Sequence, residues 1–92
     1  MNTMAQKTLT ICNKLGLHAR AAAKFVETAN RFSSEVNLIK DGRSVNGKSI
    51  MSVMMLAATM GTEVTIEANG KDAEQALDAI ATLINNKFDE GE

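Results

Sequence analysis

The chain has 92 residues, 45% of them hydrophobic, enough for one small buried core and too little for two. A formal net charge of -1 and the absence of Trp and Tyr argue against nucleic acid as the main partner, since neither a basic face nor a stacking platform is provided. One His and one Cys do not make a metal site, a lone Cys allows no internal disulfide, and no apolar run reaches membrane-spanning length.

Met1 to Lys7 is too polar for a secretory signal, so the expected location is the cytoplasm. Thr8-Leu9-Thr10-Ile11 alternates polar and apolar with a period of two and predicts a strand. Cys12 continues its Thr8 and Thr10 side as a partly exposed, inert strand position. Gly16 breaks that pattern. After it, Ala22, Phe25, Val26 and Ala29 recur at helical spacing, which predicts a helix from about Ala19 to about Arg31. Lys24, Glu27, Thr28 and Arg31 form its outer face, with Glu27 and Arg31 spaced for an i,i+4 pair. Phe32 is expected to close the helix against the core before Ser33-Ser34 turns the chain.

His18, the only histidine, therefore sits at a strand-to-helix junction. Helix starts expose unpaired backbone N–H groups and the positive end of the dipole. That field disfavours imidazolium and so favours a nucleophilic ring, while the same N–H groups receive anions such as a phosphoryl group. Arg20 adds a guanidinium fork that suits phosphate oxygens, and Arg20 and Lys24 together suit acidic partners. Read from the residues alone, a plainer alternative stays open, in which His18 is a surface residue capping the helix.

A hairpin follows, with Val36 and Leu38 alternating with Glu35 and Asn37, a turn at Asp41-Gly42, and a return through Ser44 and Val45. Asn46-Gly47 leads into a second helix, expected from Ile50 to about Ala58 with Ser49 as N-cap. This helix carries two apolar stripes, Ile50, Val53, Leu56 and Ala57 on one side and Met51, Met54, Met55 and Ala58 on the other. A short helix at the side of a small domain cannot easily bury both, so the methionine side is expected to remain a docking patch. Beyond Gly61, Val64 and Ile66 alternate with Glu63, Thr65 and Glu67 in the clearest strand, and Asn69-Gly70 turns the chain. Asp72 is expected to cap the last helix, with Gln75 at capping-box spacing and Ala76, Leu77, Ile80, Leu83 and Ile84 as its apolar stripe. The acidic end, Phe88-Asp89-Glu90-Gly91-Glu92, is expected to fray, and no carboxylate or second histidine is expected in position to hydrolyse a phosphoryl group on His18. One domain, residues 1–92, results: an α+β open-faced sandwich, with a ferredoxin-like topology left open by the pattern. No Ser/His/Asp or Cys/His set is assembled for conventional catalysis.

Gly16-Leu17-His18-Ala19-Arg20, Val45-Asn46-Gly47-Lys48-Ser49-Ile50-Met51 and Gly61-Thr62-Glu63-Val64-Thr65-Ile66-Glu67-Ala68-Asn69-Gly70 together resemble the HPr family, the histidine phosphocarriers of the bacterial phosphoenolpyruvate-dependent phosphotransferase system. The resemblance implies four antiparallel strands covered on one side by three helices, in the order βαββαβα. It implies that His18 takes a phosphoryl group from phosphorylated Enzyme I, on Nδ1 as in the family, and passes it to Enzyme II A components in sugar uptake or its regulation. Arg20 would steady the phosphoryl oxygens. Ile50, Met51 and Met54 match the family's partner contacts, and Ser49 matches the serine phosphorylated by a dedicated kinase in many members. The expected protein is a monomeric carrier without a cofactor, not an independent catalyst. One departure stands inside the motif, where Ala21 occupies the position of the family's usual proline. Two alternatives follow: a carrier of a regulatory, nitrogen-related branch, or a binding module that has lost phosphotransfer and acts through the Ile50, Met51 and Met54 patch.

Overall fold

The computed structural model describes residues 3–90. In chain order the elements are β1 (Thr3–Thr10), α1 (Ala19–Ala29), β2 (Glu35–Lys40), β3 (Arg43–Asn46), α2 (Ile50–Met55), β4 (Glu63–Gly70) and α3 (Ala73–Asn85), followed by a single turn at Lys87–Asp89. The strands form one antiparallel sheet in the order β1-β4-β2-β3.

Alternation sets the layers. In β4, Val64, Ile66 and Ala68 are buried, and in β2 so are Val36 and Leu38. The register places Leu38 opposite Ile66 and Val36 opposite Ala68, so both strands offer their apolar residues to one face. On the other face Thr8 and Thr65 join hydroxyls at 3.0 Å, with no helix over them. The helices cover the apolar face with Phe25, Val26, Val53, Ile80 and Ile84, and each such burial contributes about 1.5–3 kcal/mol.

Several boundaries move, each for a local reason. β1 starts at Thr3 because β4 offers eight residues to pair, from Gly70 opposite Thr3 to Glu63 opposite Thr10. Ile11 leaves that ladder and is buried, its backbone exchanging bonds with Thr62 O at 2.9 Å and Gly61 N at 2.7 Å. α1 ends at Ala29, two residues before Arg31, as Arg31 N–H and Phe32 N–H tighten onto Thr28 O and Ala29 O. Phe32 packs half-buried against a small cluster of Ala68, Ala73 and Ala76. β4 runs through Gly70, so the turn falls after Asn69-Gly70. The Asp41-Gly42 turn takes positive φ at both residues, as a two-residue hairpin requires.

α2 stops at Met55, short of Ala58. Ala57 adopts φ 52, the left-handed conformation that ends a helix. Lys40 Nζ satisfies the Leu56 carbonyl at 3.1 Å, and Leu17 N–H takes the Ala58 carbonyl at 2.9 Å. Ala58 is consequently buried, apart from the methionines with which spacing grouped it.

Two expectations at the C-terminal end are corrected. Asp72 occupies the N-cap position of α3 but makes no side-chain cap. Its carboxylate instead accepts from Ser33 N–H at 2.9 Å, Ser34 N–H at 3.0 Å and the Ser34 hydroxyl, tying the loop after α1 to the start of α3. Those bonds, led by the Ser34 hydroxyl, hold its pKa at about 2, against an ordinary value of 3.8. The acidic end does not fray through Glu90: Phe88 is wholly buried in the main core, in a left-handed turn with φ 56, 54 and 61 at Lys87, Phe88 and Asp89. The remainder of that expectation, at Gly91 and Glu92, lies outside the described residues.

Candidate functional site

The loop between β1 and α1 is shaped by Gly16. Its φ is 67, and a Cβ there would stand 2.5 Å from Ala58 O and 2.9 Å from Thr59 Cα. Only glycine permits the turn to press on the segment after α2. Gly16 N–H closes onto Asn13 O at 3.2 Å, and the next residue, Leu17, is buried. His18 emerges from this anchor as the N-cap of α1, with extended backbone and no capping bond from its ring.

The first bond of α1 runs from Ala22 N–H to His18 O at 2.8 Å. The N–H groups of Ala19, Arg20 and Ala21 precede it and have no partner one helical turn back, so the helix start presents donors and positive dipole beside His18. The imidazole is half-exposed, its side chain 30% accessible, in an open depression rimmed by Lys14, Leu15, Arg20 and Asp89. Arg20 is exposed and, among the described residues, has no acidic partner.

A carboxylate approaches the ring. His18 Nε2 pairs with Glu90 Oε2, while the other oxygen, Oε1, accepts from Asn13 Nδ2 at 3.0 Å. Burial pushes the Glu90 carboxyl up, but bonds from Asn13 and His18, with the charges of His18 and Lys24, bring it below the ordinary carboxylate range. An ionised Glu90 accepts only, so the ring nitrogen that faces it, Nε2, carries a proton. Glu90 sits on the Nε2 side of the ring, away from anything bonded to Nδ1.

Lys24 is engaged within the chain. Its Nζ donates to Phe88 O at 2.7 Å and tethers the C-terminal turn to α1. Ser49 caps α2, accepting from Ser52 N–H at 3.3 Å. On α2, Ile50, Met51 and Met54 are exposed, Met51 the most at 71%, while Val53 and Leu56 face the core. Ile50 thus shares the outer face with the methionines, not the buried stripe in which spacing put it. The Asn13–Gly16 turn abuts Ala58 and Thr59, the segment that follows α2. A larger groove between α1 and α3, lined by Glu27, Arg31, Asp78 and Thr82, carries neither histidine nor cysteine. Cys12 is half-buried, its thiol donating to Ile84 O at 3.2 Å, and no group of three His, Cys, Asp or Glu side chains among the described residues is arranged to hold a metal. No described helix is long and apolar enough to cross a membrane.

Asn13, Phe88 and Glu90 were not singled out as site residues by the sequence. The available signal was Phe88, which follows Ile84 at i,i+4 and so extends the apolar stripe of α3 beyond its end.

Residues 5–86 match the family model described as the PTS HPr component phosphorylation site. The phosphocarrier protein HPr of Cupriavidus necator is 54% identical over 89 residues, covering 97% of this chain and 100% of that protein. The HPr of Pseudomonas aeruginosa is 55% identical over 85 residues, covering 91% and 94%. Among solved structures, HPr of Thermoanaerobacter tengcongensis superposes with a TM-score of 0.91 at 48% identity, covering 94% of this chain and 97% of that one.

Proposed function

The chain belongs to the HPr family of phosphotransferase-system phosphocarriers, and from that premise we propose that His18 takes a phosphoryl group from phosphorylated Enzyme I and passes it to Enzyme II A components. The nucleophile is Nδ1. The observation that carries this reading is the Glu90 carboxylate on Nε2, which leaves Nδ1 as the ring nitrogen not engaged by Glu90 at an open helix start.

Phosphoryl transfer asks little covalent chemistry of the protein beyond alignment and neutralisation of charge. The N–H groups of Ala19, Arg20 and Ala21 at the helix start, and the exposed Arg20 guanidinium at the rim of the depression, meet that need. The depression around His18 is open and shallow, which suits a relay meeting its partners face to face more than a catalyst enclosing a substrate. The site is complete within one chain, in keeping with a monomer working in the cytoplasm. Glu90 does not make it a phosphatase, because it faces the ring edge remote from Nδ1.

Ile50, Met51 and Met54 form the docking patch for both partners, adaptable because methionine repacks easily. Lys24, tied to Phe88, adds positive charge for acidic partners near His18. Phosphorylation of Ser49 by a serine kinase would suit the start of α2 yet set about two negative charges beside Ile50 and Met51, weakening docking. The test is incubation with phosphoenolpyruvate and Enzyme I, followed by intact mass before and after acid. One acid-labile phosphate is expected on the native chain and none on His18→Ala; labelling that persists in that variant would overturn the assignment.

A further inference from the structure

His18, Glu90 and Asn13 come from the start of α1, the C-terminal turn and the loop after β1, and meet at one point. Asn13 is fully buried, and its Nδ2 donates to Gly16 O at 2.8 Å and Glu90 Oε1 at 3.0 Å. Its Oδ1 faces no protein donor. Turning the amide over would aim that oxygen at two acceptors, so the contacts fix it as a double donor. Glu90 arrives through three consecutive left-handed residues, none of them glycine. Such a turn persists only where surrounding contacts hold it. Phe88 in the core and Lys24 on its carbonyl hold one side; Asn13 and His18 hold the other.

We propose that Glu90 and Asn13 are positioning residues for phosphoryl transfer, keeping one proton on His18 Nε2 through the whole cycle so that only Nδ1 exchanges phosphoryl groups. This rests on the carrier reading of His18. In the resting protein the Glu90 carboxylate accepts from Nε2–H. The Nδ1 lone pair attacks phosphorus as the donor's bond to phosphorus breaks and its electron pair stays with the donor. His18 then holds Nδ1–P and Nε2–H together, and the positive ring lies against the Glu90 carboxylate. On discharge the electron pair of the N–P bond returns to Nδ1, and the ring leaves as neutral imidazole. No proton enters or leaves His18 in either direction. Without its Nε2 proton the ring would have to leave as an anion, a much poorer leaving group, and the carboxylate prevents that. Asn13 acts one step outward, aiming Glu90 and coupling it to the Gly16 turn that sets His18.

Nitrogen NMR of histidine-labelled protein reads the ring tautomer in the unphosphorylated chain. The native protein is expected in the Nε2–H form. Glu90→Ala should raise the Nδ1–H fraction by roughly threefold to tenfold, one partly exposed charge-assisted bond being lost. Glu90→Gln, which keeps a carbonyl acceptor, should fall between the two, and Asn13→Ala should move in the same direction as Glu90→Ala by less. Since Asn13 is fully buried and its truncation also alters packing, the Glu90 variants decide the outcome. Loaded from Enzyme I, phosphorylated Glu90→Ala should discharge to an Enzyme II A component more slowly than the native chain. An unshifted tautomer in Glu90→Ala, with native phosphate uptake intact, would overturn this proposal alone. A shifted tautomer with no phosphate on the native chain would overturn the carrier reading and this proposal with it.

Discussion

Lys24 Nζ donates to Phe88 O at 2.7 Å, so the helix that begins at His18 also holds the turn that delivers Glu90 to His18. The first helix and the C-terminal turn are thereby coupled at the site, with a buried aromatic as the pin. The His18 ring is thus held by a segment that composition alone would class as a loose acidic tail.

Phe88→Ala tests that pin. Truncating a buried phenylalanine typically costs about 3–5 kcal/mol, but release of the left-handed turn also relieves backbone strain, so a net loss of about 2–4 kcal/mol is expected. The midpoint of urea unfolding should fall accordingly, with His18 losing Glu90 as a partner. A midpoint equal to that of the native chain would show that Phe88 packs nowhere in solution.

Gly16→Ala tests the loop. A methyl group at this position meets the Ala58 carbonyl and Thr59 backbone while forcing a left-handed alanine, which together should cost about 2–4 kcal/mol. The same variant should displace Leu17 and His18 and slow phosphoryl uptake. Native stability with native uptake would mean the loop has another conformation of equal energy.

Asp72 gives a pH dependence with a defined sign. Its folded pKa, about 2, lies below the ordinary 3.8, so the ionised carboxylate favours the folded state. That contribution is present in full above about pH 4 and is lost as pH falls through 2. Unfolding followed at several pH values should show stability declining over this window, and Asp72→Asn should flatten the decline. Glu90, also lowered, leaves a residual slope of the same sign in that variant. An unaltered slope in Asp72→Asn would remove the Ser33 and Ser34 contacts from the account.

The features legible in the sequence were those set by neighbours along the chain. The alternation around Val64 and Ile66, the Asp41-Gly42 turn and the strand-to-helix junction at His18 each follow from a few adjacent residues. The features missed were decided at a distance. Asp72 carries a cap signature, but the N–H groups of Ser33 and Ser34 and the Ser34 hydroxyl compete for its carboxylate and win. α2 ends at an alanine in left-handed conformation, where no glycine announces the stop. Lys87, Phe88 and Asp89 have no local preference for a left-handed turn, which exists because the core has room for Phe88. Asn13 follows Cys12 with no local pattern of its own, and nothing nearby in the chain reveals that Glu90 would reach its amide. The strand order β1-β4-β2-β3 likewise lay beyond the alternation pattern, which suited a ferredoxin-like sheet equally well.

Met51→Glu tests the outer face of α2. Met51 is among the most exposed large apolar side chains, so a charge there should leave unfolding within about 0.5 kcal/mol of the native value. Affinity for Enzyme I should nonetheless fall by roughly tenfold or more, as an interface centre tolerates buried charge poorly. Native affinity in a folded variant would place the docking surface elsewhere.

Ala21→Pro asks what the departure from the family pattern does. Ala21 is fully buried in the first turn of α1, one residue before the first helical hydrogen bond at Ala22. Its N–H therefore makes no bond that the helix needs, and a proline ring lacking that N–H is tolerated in a first turn. Fixing φ there also reduces the freedom of the unfolded chain, a gain of about 0.4–1 kcal/mol if the buried site accommodates the ring. Two donors, from Ala19 and Arg20, and the Arg20 guanidinium remain for a phosphoryl group. The expected result is a variant of equal or greater stability whose rate of phosphoryl uptake from Enzyme I is at or above the native rate. A tenfold loss of rate with the fold intact would show that this chain has come to rely on the Ala21 N–H as a third donor at the helix start, and that its site is built differently from one closed by proline.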